Sequence, residues 1–346
     1  MPEQEKYMQR CLELAGNGLG HVAPNPLVGA VVVHEGKIIG EGFHQQFGKA
    51  HAEVNAIQHA IEKFGEDILQ QSVLYVSLEP CSHFGKTPPC ADLIISKKIP
   101  KVVIGSVDPF EKVKGAGIKK LTEAGVEVIL PVLEKECRQL NKRFFTFQEK
   151  HRPYIILKYA QSRDGFLAPA KITPENKWIS NEYSRMLVHK WRSEEQAIMV
   201  GMNTVKMDNP KLTTRDWQGK NPVRILWDRE LNLDVLLNVY DQSAPTLIYN
   251  GVKNETDNNL EFIRVDFKQK VLPQILHSLH EKGIQSVMVE GGTKLFHSFM
   301  EENCWDEARI FIGNKFLGSG VKAPALQGKT ISEENILEDK LILLKN

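Results

Sequence analysis

The sequence lacks several features that would define its class at once. It contains no apolar stretch of the ~18 residues that a membrane-spanning helix needs, and its acidic beginning has no apolar signal-peptide core. We also find no internal repeat and no low-complexity tract. These absences argue against an integral membrane protein and a repeat protein, and they give no indication of secretion.

Cysteine is scarce. The chain has five cysteines in 346 residues. An odd number in a long chain argues against a disulfide framework and for a reducing compartment. We therefore expect a cytoplasmic protein.

Neither sign of charge dominates, since 44 Lys and Arg residues offset 43 Asp and Glu residues and leave a net charge of +1. A near-neutral chain has no general attraction for nucleic acids or anionic membranes, although a local basic patch is compatible with this balance. We therefore expect a small-molecule substrate, with no nucleic-acid and no membrane partner. Self-association into a homo-oligomer is compatible with the sequence.

The length predicts about two domains. Strand-like and helix-like segments alternate in both halves, which predicts layered α/β domains. In the first half we expect a hairpin over residues 28–43 that turns at Glu35-Gly36, and a helix from His51. One continuous helix is expected over residues 134–150.

The proline at position 153 makes continued helix improbable, so the boundary is expected near it. We place the domains at residues 1–148 and 151–346. The polar segment 213–222 is expected to be a loop. In the second half, strands are expected at PYIILKYAQS, QAIMVG, VRILWD, PTLIYN, EFIRVDF, SVMVE and ARIFIG. Helices are expected at 181–192, 271–282 and 293–302.

A histidine and two cysteines form the strongest chemical signal. His51, with Glu53 two residues later, is followed by Cys81 and Cys90. One imidazole and two thiolates supply three zinc ligands and leave a fourth position for water, as a catalytic zinc site requires. Zinc lowers the pKa of that water, and Glu53 is available to carry protons between water and a leaving amine. This combination is typical of zinc-dependent deaminases, in which the glutamate does not bind the metal.

A structural zinc site is the alternative, with Cys11 or His83 as a fourth protein ligand. A second alternative is a pair of buried thiols and an unrelated histidine. The catalytic interpretation is favoured because Glu53 is present as well as the three ligands.

The segments around these residues resemble the bifunctional deaminase/reductase family of riboflavin biosynthesis. Eight residues separate the two cysteines, where most nucleoside and nucleic-acid deaminases have two. The resemblance covers nearly the whole chain. In the first half it rests on PNPLVGAVVV (24–33), HAEVNAI (51–57), LEPCSHFGKTPPC (78–90), KGAGIKKLTEAGVEV (114–128) and LNKRFF (140–145).

The resemblance implies a three-layer, cytidine-deaminase-like N-terminal domain with one catalytic Zn²⁺. Its substrate would be a diaminopyrimidinone that carries a ribosylamino 5-phosphate, and the reaction would be hydrolytic loss of the 2-amino group. Asn25 would bind this substrate, or alternatively form a turn before proline. His83 and Lys86 would meet the ring or the phosphate, unless they are simply solvated.

The second half has no G-x-G-x-x-G fingerprint after its first strand, so a standard Rossmann site is not supported. Instead, Gly291-Gly292-Thr293 connects a predicted strand to a predicted helix, a turn that suits a phosphate. The segments KYAQSRDG (158–165) and GMNTVKMDNPKLTTR (201–215) resemble the reductase domain of the same family, which has a dihydrofolate-reductase-like fold.

That resemblance implies NADPH as hydride donor for reduction of the ribosyl group to ribityl. By the same resemblance, the residues that contact NADPH are Trp178, Thr204, Asp208, Gly292, Thr293, Lys294, Leu295, Phe296, His297 and Ser298. Those that contact substrate in this half are Asn176, Arg192, Leu212, Arg215 and Glu290.

Two departures from the family pattern concern the reductase half. Arg163 stands where the family usually has leucine, and Arg229 stands where serine is frequent. The alternatives are a base deaminase with an RNA-binding second half, a structural zinc domain joined to a nucleotide sensor, and a reductase-like half without turnover.

Overall fold

The computed structural model describes residues 2–84, 88–111 and 114–346. The chain forms two compact units, Met1–His151 and Arg152–Asn346. Within the described ranges, no helix is long and apolar enough to cross a membrane.

The N-terminal unit alternates helices and strands. Its helices are α1 (Glu3–Gly16), α2 (Ala52–Phe64), α3 (Cys90–Ser96), α4 (Ala116–Glu123), α5 (Glu134–Leu140) and α6 (Lys142–Lys150), with a 3-10 helix at Asp67–Gln71. Its strands are β1 (Gly29–His34), β2 (Lys37–Phe43), β3 (Val73–Val76), β4 (Lys101–Ile104) and β5 (Glu127–Ile129).

These strands form one sheet in the order β2-β1-β3-β4-β5. Strand β1 is antiparallel to both of its neighbours, whereas β3, β4 and β5 are parallel. Alternate residues of the strands pack against opposite layers. Val32 and Val76 face a core with α2 and α3, and Val31 and Tyr75 face a core with α1 and α5. The unit therefore has three layers, with the sheet in the middle.

The expected hairpin is confirmed. Its turn residues, Glu35 and Gly36, both have positive φ (44° and 72°), as a type I′ turn requires.

The expected continuous helix over 134–150 is wrong, because the structure has two helices, α5 and α6. They meet at Asn141, whose backbone leaves helical geometry with φ −93° and ψ 21°. The buried Asn141 side chain accepts a hydrogen bond from the Leu27 N–H (2.7 Å) and donates one to the Leu27 carbonyl (2.8 Å). This pairing with a residue 114 positions away fixes the break.

The C-terminal unit contains more strands than were predicted. Its helices are α7 (Glu182–Glu194), α8 (Met202–Asp208), α9 (Val271–Glu281) and α10 (Thr293–Glu301), with a 3-10 helix at Asn238–Tyr240. Its strands are β6 (Tyr154–Gln161), β7 (Phe166–Pro169), β8 (Ala197–Val200), β9 (Val223–Trp227), β10 (Thr246–Asn250), β11 (Glu255–Asp257), β12 (Leu260–Arg264), β13 (Ser286–Gly291), β14 (Glu307–Ile312), β15 (Gly320–Lys322), β16 (Lys329–Ile336) and β17 (Asp339–Lys345).

Ten of these strands form one sheet, in the order β11-β12-β10-β9-β8-β13-β6-β14-β17-β16. The seven strands from β12 to β14 are mutually parallel, so their carboxyl ends meet at one edge. Helices α9 and α10 pack on one face of this sheet and α7 on the other, each through buried apolar side chains. Ligands of open parallel sheets bind beside the carboxyl ends of the strands.

Candidate functional site

Three ligand atoms converge in the N-terminal unit. His51, Cys81 and Cys90 place one nitrogen and two sulfurs within 4.8 Å of one another. The Nδ1 atom of His51 lies 3.6 Å from the Cys81 sulfur and 3.4 Å from the Cys90 sulfur. Tetrahedral zinc with ordinary Zn–S and Zn–N bonds separates nitrogen from sulfur by about 3.5 Å. The three residues therefore fit a zinc ion in both chemistry and spacing.

Two helix N-termini position these ligands. His51 is the N-cap residue of α2, with extended backbone geometry, and Cys90 is the first residue of α3. The Cys90 backbone N–H donates to the Cys81 sulfur at 3.3 Å. A hydrogen bond from the Cys90 thiol, helped by His51 and opposed by burial, lowers the pKa of Cys81 to about 4. The same hydrogen bond and burial raise the pKa of Cys90, so without metal the thiolate form is favoured at Cys81 only.

Glu53 is the candidate proton carrier. It lies in the first turn of α2, where the spacing of two residues from the N-cap His51 keeps both side chains at the same end of the helix. The side chain is 3% exposed. Burial, reinforced by the negative charge of Cys81, raises the pKa of Glu53 to about 7. A carboxyl group with such a pKa can both accept and release a proton near neutral pH.

A buried carboxylate supports the loop that carries Cys81. Glu79 accepts hydrogen bonds from four backbone N–H groups, those of Asp108 (3.2 Å), Gly115 (3.0 Å), Gly117 (2.9 Å) and Ile118 (3.3 Å). Three of these donors belong to the N-terminus of α4, which is thereby capped. Glu79 was not among the predicted site residues.

His44 is a second residue that the sequence analysis missed. It is buried and lies edge-on to His51, with ring centroids 5.3 Å apart. Its Nδ1 atom is 3.0 Å from the Ala50 carbonyl and its Nε2 atom is 3.1 Å from Nδ2 of Asn25. The carbonyl can only accept, so Nδ1 carries the proton and Nε2 accepts from Asn25. The only available signal was a histidine directly after the second strand of the hairpin.

Neither proposed fourth ligand joins the three atoms. Cys11 is buried in the core on the α1 side of the sheet, opposite to α2, and its sulfur faces the Tyr75 carbonyl at 3.5 Å. His83 is exposed and, among the described residues, does not belong to the group. Lys86 lies outside the described residues. The structural-zinc alternative therefore loses its fourth ligand.

A charged cluster forms where β13 ends in the C-terminal unit. Arg192 donates two hydrogen bonds to Glu290, both at 2.7 Å. The Lys158 amine lies 4.0 Å from the same carboxylate. Burial alone would raise the pKa of Glu290, but Arg192 and Lys158 outweigh it and lower that pKa to about 2. Lys158, a third functional candidate, was not predicted individually.

Two further predicted substrate residues lie beside this cluster. The Thr213 carbonyl accepts from Arg192 at 3.1 Å, and the Thr213 hydroxyl faces the Arg215 guanidinium at 3.4 Å. The Arg215 backbone N–H donates to Nδ1 of the buried His189 (3.1 Å). Leu212 has positive φ (56°), and its side chain is buried in an apolar cluster and is therefore not available to a ligand.

A cavity of about 330 Å³ lies at the carboxyl ends of β8, β9 and β13. The predicted cofactor residues Gly292, Thr293, Lys294, Leu295 and Ser298 line it. Its other lining residues were not predicted as cofactor contacts, and they are Val200, Gly201, Met202, Asn203, Trp227 and Arg229. Helix α10 begins at this cavity, where its free backbone N–H groups suit a phosphate. The cavity therefore fits a dinucleotide phosphate.

The other predicted cofactor residues differ in their surroundings. The Thr204 hydroxyl packs closely on Gly291, at the cavity, whereas Asp208 is exposed at the end of α8. Trp178 is 53% exposed and its ring faces the Arg185 guanidinium.

Phe296 packs on Tyr159 in the core, and His297 is exposed. Asn176 uses both polar atoms of its side chain to close its own loop, with Thr173 (2.7 Å) and Lys171 (3.0 Å).

Two family models match the chain. The model of the cytidine and deoxycytidylate deaminase zinc-binding region matches residues 1–106, and that of the RibD C-terminal domain matches residues 153–343. These matches agree with the two α/β units of the structure.

Curated relatives match over nearly the full length. The riboflavin biosynthesis protein RibD of Aquifex aeolicus is 42% identical, with 99% of this chain and 98% of the relative covered. The protein of the same name from Bacillus amyloliquefaciens is 41% identical, with 93% and 87% covered.

Solved structures agree. A diaminohydroxyphosphoribosylaminopyrimidine deaminase/5-amino-6-(5-phosphoribosylamino)uracil reductase of Thermotoga maritima superposes with a TM-score of 0.89 at 39% identity, covering 99% of this chain and 98% of that one. RibD of Acinetobacter baumannii gives 0.88 at 31% identity, with the same coverage. The expected fold class, cytidine-deaminase-like followed by dihydrofolate-reductase-like, is confirmed.

Proposed function

Because the chain belongs to the RibD family of bifunctional deaminase/reductases of riboflavin biosynthesis, we propose that it catalyses two consecutive steps on one pyrimidine. The first is hydrolytic deamination of 2,5-diamino-6-(5-phosphoribosylamino)pyrimidin-4-one. The second is NADPH-dependent reduction of the ribosyl side chain to ribityl. We assign the deaminase to residues 1–148 and the reductase to residues 151–346.

In the deaminase, His51, Cys81 and Cys90 would hold zinc, which when bound lowers the pKa of the attacking water. Glu53 takes the proton of the attacking water and delivers it to the departing amino nitrogen, which leaves as ammonia. Its burial supports this role, because a carboxylate shielded from bulk water passes its proton to the substrate rather than to solvent.

Asn25 orients the pyrimidine ring in this proposal. Its NH₂ group is engaged by Nε2 of His44, so its carbonyl oxygen is directed away from His44, and we assign this oxygen to accept a hydrogen bond from the ring. His44 thus acts as a positioning residue that sets which end of the amide meets substrate.

In the reductase, NADPH supplies the hydride when bound. Reduction places this hydride on C1′ of the ribose and a proton on the ring oxygen as the bond between these atoms breaks. Lys158 is the proposed proton donor, since burial lowers its pKa and makes the proton easier to release. Glu290 and Arg192 hold it in place, and Arg215 is suited to the substrate phosphate by its bidentate donor geometry.

The convergence of the His51, Cys81 and Cys90 ligand atoms next to a buried Glu53 carries this proposal. Among the residues that the structure describes, no other group combines a metal-binding geometry with a proton carrier. The reductase half rests on the Glu290 cluster beside the cavity.

The direct test supplies the diaminopyrimidinone ribosylamino phosphate to the purified, zinc-loaded chain. Ammonia release and NADPH oxidation are recorded in parallel, with and without NADPH. We expect ammonia without NADPH, and NADPH oxidation only after deamination. If no ammonia appears, the deaminase assignment is wrong.

A Glu53→Gln variant separates catalysis from metal binding. It should retain one zinc per chain by metal analysis, release no ammonia, and still oxidise NADPH when the deaminated product is supplied. Glu62→Gln, at an exposed position of the same helix, is the matched control and should behave as the wild type. Deamination retained in Glu53→Gln would refute the role of Glu53.

A further inference from the structure

The charged residues that line the cavity in the C-terminal unit are all positive. Of its lining residues, only Arg229 and Lys294 are charged, and both are cations. Arg229 follows the end of β9, whereas Lys294 lies in the first turn of α10. The two cations therefore approach the cavity from different elements.

Several contacts fix the segment that carries Arg229. Its backbone carbonyl accepts a hydrogen bond from the Gly251 N–H at 2.8 Å, and the preceding Asp228 N–H donates to the Tyr249 carbonyl at 2.9 Å. The guanidinium carbon lies 5.5 Å from the centroid of the Phe267 ring, at cation–π distance. The backbone at Arg229 is therefore fixed, and its exposed guanidinium lies next to Phe267 at the cavity.

The position of Arg229 in the sheet separates it from the start of α10. Strand β13, which leads into α10, is followed in the sheet by β8 and then β9. Two strand spacings correspond to about 10 Å. This separation of the two backbone segments leaves room in the cavity for a diphosphate at the α10 N-terminus and for a second anionic group at Arg229.

We propose that Arg229 binds the 2′-phosphate of NADPH and thereby selects NADPH over NADH. This inference rests on the proposed reductase function and names the residue that discriminates between the two cofactors. The diphosphate then lies at the α10 N-terminus with Lys294. The guanidinium presents a planar pair of donors to phosphate oxygens, which a serine side chain does not.

Two nucleotides that differ only by the 2′-phosphate provide the test. Binding of 2′,5′-ADP and of 5′-AMP is measured by titration calorimetry on the full-length protein. For Arg229→Ser we expect the affinity for 2′,5′-ADP to fall about ten- to a hundredfold, the range of a charge-assisted hydrogen bond. The affinity for 5′-AMP should change less than about twofold, because that nucleotide has no group for Arg229 to bind.

Two further variants sharpen the result. Arg229→Lys keeps the charge but loses the planar pair of donors, so it should lie between wild type and Arg229→Ser. Arg264→Ser removes an exposed arginine at the end of β12, at the same sheet edge, and should leave both affinities unchanged. Unaltered thermal unfolding of each variant shows that the unit is folded.

The outcomes are distinct. Equal losses for both nucleotides in Arg229→Ser, or a loss of the same size in Arg264→Ser, would overturn the inference. A wild type that binds NADPH and NADH equally well would also overturn it, while the reductase assignment would stand. A wild type that binds neither cofactor would refute the reductase function itself.

Discussion

A carboxylate oxygen of Glu79 accepts a hydrogen bond from the backbone N–H of Gly117 at 2.9 Å. A Cβ atom at Gly117 would lie 2.0 Å from the Pro80 carbonyl oxygen, so the start of α4 is pressed against the segment that leads into Cys81. We therefore expect zinc binding at Cys81 to depend on this contact with a helix that supplies none of the three proposed ligands.

Glu79→Gln should weaken both the N-terminal unit and its zinc site. The amide NH₂ group would face backbone N–H groups that now donate to carboxylate oxygens, and we expect a loss of about 3 kcal/mol in unfolding free energy. Chemical denaturation and zinc titration would measure the two effects. Glu123→Gln, exposed on α4, is the control, and equal results for both variants would contradict a supporting role for Glu79.

Gly117→Ala should displace the Cys81 segment without changing any polar group. The new methyl meets a backbone oxygen that cannot move aside, so the variant should lose about 1–3 kcal/mol of stability and bind zinc less tightly. Gly125→Ala is the comparison, because Gly125 has positive φ but open space around it. This variant should introduce backbone strain without a steric clash. Zinc affinity should fall only at Gly117, and unchanged affinity there would be evidence against the contact.

His44→Gln should affect substrate binding more than the chemical step. Without the fixed acceptor at Nε2, the Asn25 amide is no longer held in one orientation, so we expect KM for deamination to rise about tenfold. The zinc content and kcat should change much less. His277→Gln, exposed on α9, is the control. A fall in kcat at constant KM would instead place His44 in the chemistry.

The Glu290 cluster predicts a pH dependence of stability. Its folded-state pKa of about 2 is below the ordinary value of 4.5, so its stabilisation is complete above pH 4.5 and is lost as pH falls toward 2. Glu290→Gln should be less stable at neutral pH and should lose less stability across this window. Denaturation curves between pH 2.5 and 7 test this, with exposed Glu301→Gln as control. Parallel curves for wild type and Glu290→Gln would show the prediction to be wrong.

Zinc removal should separate the two activities. All three proposed ligands belong to the N-terminal unit, so a chelator should abolish ammonia release. NADPH oxidation with the deaminated product should continue, and readded zinc should restore deamination. Simultaneous loss of both activities would contradict this division.

Local patterns were sufficient to predict much of the fold. The hairpin turn at Glu35-Gly36 and the positions of the central strands of the second half were predictable because their signals lie within a few residues. The break at Asn141 was not, since its cause is a partner 114 residues away. The C-terminal pair β16 and β17 was also missed, because the edge strand β16 has no buried side chain and β17 has charged residues at both of its ends.

The same distinction applies to the sites. His51, Glu53, Cys81 and Cys90 form short motifs, so they could be proposed from residue types and spacing. Lys158 and His44 could not be singled out, because each acquires its role from neighbours that only the folded chain brings close. The sequence identified Arg229 as a departure from the family pattern, but only the structure shows that it lines the cavity.

The pairing of Asn141 with Leu27 sets a lower limit on any independently expressed deaminase. The zinc-region model ends at residue 106, and a fragment cut there would contain every proposed ligand. It would nevertheless leave the buried N–H and carbonyl of Leu27 without partners, two residues from Asn25. A fragment of the deaminase should therefore extend beyond α6. A shorter fragment should keep the metal-binding motif but lose the local structure that positions Asn25 to orient the pyrimidine.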